Sequence, residues 1–157
     1  MESLIVYDSK FGNTKEVAEA IADGLASHGP VRLLGLDKVS PQNLGPVDLL
    51  FIGGPTQAHT MTAQMRQFVD ALRARPANGT AVATFDTRLR MPAVISGSAA
   101  KTIARKLRSV GVRIFAAPES FFVQGSRPEL EEGETERAAN WAKGVADRLA
   151  LSHWCAA

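Results

Sequence analysis

A polar segment of six residues near the start of the chain has the groups needed to hold an anion. It reads Ser9-Lys10-Phe11-Gly12-Asn13-Thr14 and separates the apolar run Leu4-Ile5-Val6-Tyr7 from a pattern typical of a helix. Hydroxyl groups and unpaired backbone N–H groups at the positive end of a helix dipole bind anions. Gly12 allows the backbone to approach a ligand closely, and Ser9 and Thr14 can each donate to a phosphate oxygen. The segment therefore predicts a site for a phosphate monoester.

The same segment could instead have a purely structural role or belong to a different class of phosphate site. Asn13 or Thr14 could be an ordinary cap that satisfies the first amide groups of the helix, and this alternative stays open. Dinucleotide and P-loop sites are disfavoured, because no G-x-G-x-x-G follows the first apolar run and no G-x-x-x-x-G-K-[ST] occurs in the chain. A phosphoacceptor receiver domain needs an aspartate at the end of the third apolar run, where this chain has Gly53-Gly54.

Five apolar runs bounded by turn residues predict β-strands. They are Leu4–Tyr7, Val31–Leu36, Val47–Ile52, Ala81–Phe85 and Val112–Val123, the last interrupted by Pro118. The third run is almost wholly apolar, as expected of a central parallel strand covered on both faces. Helical spacing of apolar residues predicts four helices: after Asn13-Thr14, from Met65 to Leu72, after the cap Ser98, and from Ala138 to Leu149. No helix is predicted after the second strand.

Alternating strands and helices predict an α/β fold with a parallel sheet and right-handed crossovers. Ligands of such open sheets bind at the carboxyl ends of the strands. The candidate binding loops are therefore Ser9–Thr14, Pro55–Thr62 and Asp86–Gly97. At 157 residues, with no repeat and no long linker, we expect a single domain over 1–157, with a core at about 3–150 and a short tail at 151–157.

Composition excludes several classes of protein. With 45% hydrophobic and 22% charged residues and a net charge of +2, the chain is typical of soluble globular proteins rather than disordered, collagenous or coiled-coil ones. The single cysteine, Cys155, allows no intramolecular disulfide, and no metal site is expected from the three scattered histidines. The start has no signal-peptide pattern and no apolar run is long enough to span a bilayer, so we expect a cytoplasmic protein.

The charges are distributed unevenly along the chain. Residues 87–118 carry seven bases and no acid, whereas residues 119–136 carry six acids and one base, Arg127. A basic stretch can mark an anionic partner. Lys101, Arg105 and Arg108 recur at helical spacing, however, which favours one solvated helix face. No nucleic-acid motif accompanies them, so no nucleic-acid partner is expected.

The segment Val6–Thr14 resembles the FMN-phosphate signature of the flavodoxin-like flavoproteins, commonly Y-x-S-x-T-G-N-T. The resemblance continues through Ile52–Gln57 and Phe85–Arg88, which are similar to the second and third flavin loops. It extends through Phe121-Phe122-Val123 to the closing helix and covers about residues 3 to 150, without the insertion of long-chain members. It implies a flavodoxin-like, doubly wound five-stranded parallel sheet of order 2-1-3-4-5, with helices on both faces.

The resemblance also implies FMN as the cofactor and an electron-transfer function, with a redox partner protein or a small-molecule electron acceptor. An FMN-dependent oxidoreductase of the quinone reductase or porphyrinogen-oxidase type, or a binding module that has lost FMN, are the alternatives. No catalytic acid or base is implied, because the cofactor carries the redox chemistry. The implied cofactor-binding residues are Ser9, Lys10, Phe11, Gly12, Asn13, Thr14, Pro55, Thr56, Gln57, Ala58, His59, Thr60, Phe85, Asp86, Thr87, Arg88 and Leu89.

Three departures from the family pattern modify these expectations. Phe11 stands where the signature usually has a threonine. The second and third loops lack the aromatic residues that stack on the flavin in typical members, leaving His59, which either stacks on the ring edge or points to solvent, and Phe85, for which a core position is favoured. We therefore expect weaker FMN binding. The third departure is an isoelectric point near 8.9, where typical flavodoxins are strongly acidic.

The third loop carries two cations, Arg88 and Arg90. The resemblance places them beside the flavin ring, where they would stabilise the negative charge of the reduced cofactor and raise its potential. In the alternative they point to solvent or form a docking surface for an acidic partner.

Overall fold

The computed structural model describes residues 1–73, 79–125 and 129–154. Arg127 and Cys155 lie outside the described residues. Five parallel strands form one sheet of order β2-β1-β3-β4-β5, which confirms the predicted class and strand order. The strands are β1 (Ser3–Tyr7), β2 (Val31–Gly35), β3 (Leu49–Pro55), β4 (Ala81–Leu89) and β5 (Glu119–Val123). The helices are α1 (Asn13–Leu25), α2 (Ala63–Arg73), α3 (Ala93–Ser96), α4 (Ala99–Arg108) and α5 (Glu134–Trp154).

Helices cover both faces of the sheet. On one face, Ile5, Phe51 and Phe85 of the strands pack in one cluster with apolar residues of α1 and α5. On the other face, Leu50 and Val82 pack with apolar residues of α2 and α4. Successive strand residues point to opposite faces, so the central strands are buried on both sides. The carboxyl edge of the sheet is therefore the place where loops of several strands meet.

The last two strands differ from the predicted ones. Residues 112–118 do not form a strand; Ile114 makes one isolated bridge with Val82, and β5 begins only at Glu119. Pro118 lacks an N–H group and restricts its predecessor, which explains the late start. β4 instead continues through Leu89, because the polar stretch 86–88 pairs with β3 on one side and β5 on the other. The third loop therefore begins at Arg90 rather than at Asp86.

The remaining strands and α-helices follow the predictions to within about five residues, with one additional α-helix and three short 3-10 helices. Ser98 caps α4 as predicted, its Oγ accepting a hydrogen bond from the Lys101 N–H at 3.2 Å. Two short 3-10 turns, Leu36–Lys38 and Pro41–Asn43, stand where the sequence predicts no α-helix. The single-turn helix α3 is the addition, since four residues are too few for a periodic pattern. Within the described part of the chain, no helix is both long and apolar enough to cross a membrane.

Candidate functional site

The first loop leaves the N-terminus of α1 open. Gly12 occupies the N-cap position with a φ of 94°, so the N-cap residue itself has no side chain to cap the helix. The N-cap is therefore Gly12 rather than Asn13 or Thr14. The loop folds around the Ser9 hydroxyl, whose Oγ accepts from the Gly12 N–H at 3.1 Å and the Lys15 N–H at 3.4 Å. This leaves a small cradle of hydroxyl and amide groups at the positive end of a helix.

Two hydrogen bonds tie the first loop to its neighbours. The hydroxyls of Thr14 and Thr87 lie 2.8 Å apart, and both residues are buried, which joins α1 to the end of β4. On the other side, the Thr62 hydroxyl donates to the Asp8 carboxylate. The start of α1, the loop after β3 and the end of β4 are thus joined at the carboxyl edge of the sheet.

The second loop contains a tight turn in a conformation that L-residues rarely adopt. Gln57 and Thr60 exchange two backbone hydrogen bonds of 2.8 and 2.9 Å, and the residues between them, Ala58 and His59, have φ values of 44° and 68°. Two positive φ values define a type I′ turn, which costs roughly 1 kcal/mol or more for residues other than glycine. A Cβ on Gly97, whose own φ is 71°, would overlap the His59 carbonyl. The turn is therefore packed directly on the chain that leads into α4.

Asp86 is a positioning residue beneath the second and third loops. Its side chain is fully buried, and Oδ2 accepts from the Ser98 hydroxyl at 2.6 Å, the Ala100 N–H at 3.0 Å and the Thr56 hydroxyl at 3.1 Å. These bonds fix the start of α4 and the start of the second loop to the same strand. Oδ1 has no hydrogen-bond partner among the described residues.

Arg88 is held in place by the surrounding loop. Its Nε donates to the Ser120 hydroxyl at 2.9 Å, and Nη1 donates to the Met91 carbonyl at 2.6 Å and the Ser96 hydroxyl at 2.9 Å. Its guanidinium also lies 5.2 Å from the centre of the Phe122 ring, and only 11% of the side chain is exposed. Arg88 is therefore a fixed side chain at the end of β4 rather than a solvated one.

A cavity of about 340 Å³ opens between the second and third loops. The end of β4 and the third loop contribute the apolar side chains of Leu89, Met91 and Ile95 to its lining, and the second loop contributes Thr56, Ala58 and His59. The residues that line it are Thr56, Ala58, His59, Arg88, Leu89, Met91, Ile95 and Ser96. None of these is Phe, Tyr or Trp. The volume and the largely apolar wall are typical of a small-molecule site.

Two predicted site residues lie elsewhere. The ring of Phe85 is fully buried in the core cluster with α1 and α5, so the core alternative is correct for that side chain. Arg90 is not among the residues that line the cavity. Its Nε donates to Glu131 Oε1 at 3.3 Å and to Oε2 at 3.0 Å, Nη2 donates to Oε2 at 2.7 Å, and the guanidinium lies 4.1 Å from the centre of the Phe122 ring. Met91, Ile95 and Ser96 fall within the candidate loop Asp86–Gly97, but they are not among the individual cofactor-binding residues predicted from the sequence, because no motif marks them.

Charged side chains form a network beside this region, along β5. Glu134 is nearly buried; burial alone would raise its pKa, but hydrogen bonds from Arg137 and from the Phe122 N–H lower it below the ordinary value. Arg137 bridges Glu134 and Glu119, and its pKa is raised, chiefly by the hydrogen bond to Glu134. Among the described residues, no group of three or more metal-ligating side chains is gathered anywhere.

Comparison with known proteins gives the family. The family model for the flavodoxin domain matches residues 4–112. The chain belongs to the flavodoxin domain family. A flavodoxin of Clostridium saccharobutylicum is 26% identical over 159 residues, which cover 95% of this chain and 98% of that one. An NAD(P)H dehydrogenase (quinone) of Geobacter sulfurreducens is 28% identical over 178 residues, covering 95% and 88%.

A solved structure shares the fold of this flavodoxin domain. The structure of a flavodoxin from the domain Archaea superposes with a TM-score of 0.80 at 24% sequence identity, covering 96% of this chain and 99% of that one. The two chains therefore have the same architecture over nearly their full lengths.

Proposed function

We infer that this flavodoxin domain is an FMN-binding electron-transfer protein. The observation that carries the inference is a phosphate-type loop at a helix N-terminus that is hydrogen-bonded, through Thr14, to Thr87, the strand residue next to the cavity-lining Arg88. When bound, FMN supplies the redox chemistry. The chain's own residues bind and orient the cofactor and set its exposure to solvent.

We propose that the first loop holds the phosphate. Ser9 and Thr14 supply hydroxyl groups, and the backbone from Lys10 to Asn13 supplies N–H groups at the start of α1. The fit is favoured by the N-cap residue Gly12, which supplies no side-chain cap and where an added Cβ would have no neighbour within 4 Å. One such loop suits the single phosphate of FMN rather than a diphosphate.

We propose that the cavity between the second and third loops takes the flavin ring. The segment from Pro55 to Thr60 lies on one side, with Ala58 and His59 at the tip of its turn, and Leu89 lies on the other. Asp86 and Thr87 support this arrangement from below through their hydrogen bonds. Arg88 is the cation closest to the cavity, since it lines the wall while Arg90 is paired with Glu131.

The family implies a redox partner. The Geobacter relative's name makes FMN-dependent quinone reduction the second candidate, so the experiment must separate a carrier from an enzyme. Apoprotein is titrated with FMN by flavin fluorescence, and the loaded protein is then mixed with NADH or NADPH and a benzoquinone. We expect one FMN per chain and no steady turnover without a separate reductase. Absence of FMN binding would favour a fold that has lost its flavin, and steady turnover would favour the enzyme.

A further inference from the structure

The exposed large apolar side chains of the described residues are concentrated at the carboxyl edge of the sheet. Five of the six lie there: Phe11, Leu89, Met91, Val94 and Ile95, with exposures from 41% to 95%. The sixth, Leu151, is on α5. Single exposed apolar residues are common on monomers, but a concentration of them at one edge marks an interaction site.

The side chains from the third loop are displayed on a fixed frame. In α3, the Ile95 and Ser96 N–H groups donate to the Pro92 carbonyl at 2.8 and 3.1 Å. Arg88 bonds to the Met91 carbonyl before α3 and to the Ser96 hydroxyl at its end. Val94 is 95% exposed at the centre of this clamped turn, so its side chain is available for contact without any refolding.

The charges within the two segments that carry these apolar side chains are basic. The segment 88–101, which carries four of the five apolar side chains, has Arg88, Arg90 and Lys101 and no acid, and the first loop adds Lys10. Lys10, Arg90 and Lys101 are exposed. The surface therefore has apolar side chains with cations interspersed, which matches the usual interface pattern of an apolar centre and a polar rim.

We propose that this surface, defined by Phe11, Leu89, Met91, Val94 and Ile95 with Lys10, Arg90 and Lys101, docks an acidic redox partner protein. The proposal rests on the proposed function, because Leu89, Met91 and Ile95 also line the cavity, so a partner seated on them lies against its mouth. A protein partner can place its acidic groups against the cations of this surface only. A flat anionic membrane would also meet the exposed Glu129 and Glu132 beside Arg90's partner Glu131.

A defined acidic electron-transfer protein, a plant-type [2Fe–2S] ferredoxin, serves as the probe. In a stopped-flow experiment one electron passes from its reduced cluster to the FMN-loaded protein. We expect the second-order rate constant to fall about tenfold or more between low and high salt, because opposite charges accelerate encounter. Lys10→Glu with Lys101→Glu should lower the low-salt rate by a similar factor. The matched control is Arg148→Glu, an exposed cation near the far end of α5.

A second pair of variants tests the apolar part of the surface. Val94→Ser should slow electron transfer several-fold at every salt concentration, whereas Leu151→Ser, the other exposed apolar side chain, should leave it unchanged. In parallel, the 15N-labelled protein without flavin is titrated with oxidised ferredoxin. Amide signals from residues 9–12 and 88–97 should shift or broaden first.

Several results would overturn the proposal. One is a rate constant of electron transfer that does not depend on salt, and another is an equal effect of each variant and its matched control. A third is co-sedimentation with phosphatidylserine vesicles without any NMR response to ferredoxin. A fourth is a dimer in which a second copy of the chain covers the same surface. A protein that takes up no FMN would refute the proposed function instead. The NMR titration, which needs no flavin, would still decide the docking surface.

Discussion

The first loop and the segment from Asp86 to Ala100 both contribute to the candidate site, but they are built in opposite ways. In the first loop, the N-cap residue is a glycine with open space around it, and one long hydrogen bond from the Lys15 N–H to the Ser9 hydroxyl holds the start of the helix. In the segment 86–100, a buried carboxylate and a nearly buried guanidinium each make three hydrogen bonds. The difference indicates a division of labour: one region keeps its donors for a ligand, while the other holds the walls of the cavity in place.

The largest expected effect tests the rigid region. Asp86→Ala should lower the free energy of unfolding by about 3 kcal/mol, because it leaves two buried donors and one half-buried donor without their acceptor. Urea unfolding monitored by circular dichroism measures this. Asp86→Asn keeps one acceptor oxygen and should lose clearly less. A loss below about 1 kcal/mol for the alanine variant would contradict the positioning role.

Two glycines with positive φ give a direct comparison of the regions. Gly97→Ala should cost about 2 kcal/mol more than Gly12→Ala, because both strain the backbone but only the first also overlaps a neighbouring carbonyl. Thermal unfolding of the two variants, side by side, checks the order. Equal losses would mean that the second loop does not pack on the start of α4 as described.

The open region should affect binding more than stability. Ser9→Ala combined with Thr14→Ala should weaken FMN binding at least tenfold, about 1.4 kcal/mol, through lost hydrogen bonds to a charged group. Fluorescence titration measures the affinity, with Ser27→Ala as a control on an exposed hydroxyl after α1. Unchanged affinity in the double variant would refute the phosphate assignment.

The two arginines of the rigid region should behave differently. Arg88→Gln should lower the midpoint potential of bound FMN by about 30 mV, about 0.7 kcal/mol for one electron, since Arg88 lines the cavity. Arg90→Gln should leave the potential unchanged, because Arg90 is exposed and paired with Glu131. Spectroelectrochemistry distinguishes them. A shift caused by Arg90→Gln alone would reverse the assignment.

The smallest effect is a dependence of stability on pH beside the rigid region. The pKa of Glu134 is lowered in the folded state. Its contribution to the free energy of unfolding is therefore fully present above its pKa in the unfolded chain and is lost as the pH falls through its pKa in the folded protein. Unfolding free energies should therefore drop on acidification below about pH 4.3, the ordinary value for glutamate. Glu134→Gln should flatten this part of the profile. An unchanged profile would exclude Glu134 as its source.

Periodicity and turn residues predict the strand order, because buried strands and amphipathic helices leave strong local patterns. They fail at Asp86-Thr87-Arg88, which looks like a loop by composition and is a strand by pairing with two neighbours. The hydrogen bonds of Asp86 to Ser98 and Thr56 depend on contacts between separate elements, which no local pattern encodes. The left-handed turn at Ala58-His59 is equally unpredictable from the sequence, since neither residue is a glycine. The phosphate-type loop is found because its residues are contiguous.

The contact of Gly97 with the His59 carbonyl has a consequence for protein engineering. Grafting a longer or more aromatic loop from a relative in place of residues 57–60 would move that carbonyl away from its seat on Gly97. The segment 90–97 would then lose one of its supports, although it is more than thirty residues distant in sequence. Loop exchange in this scaffold therefore has to replace residues 57–60 and 90–97 together.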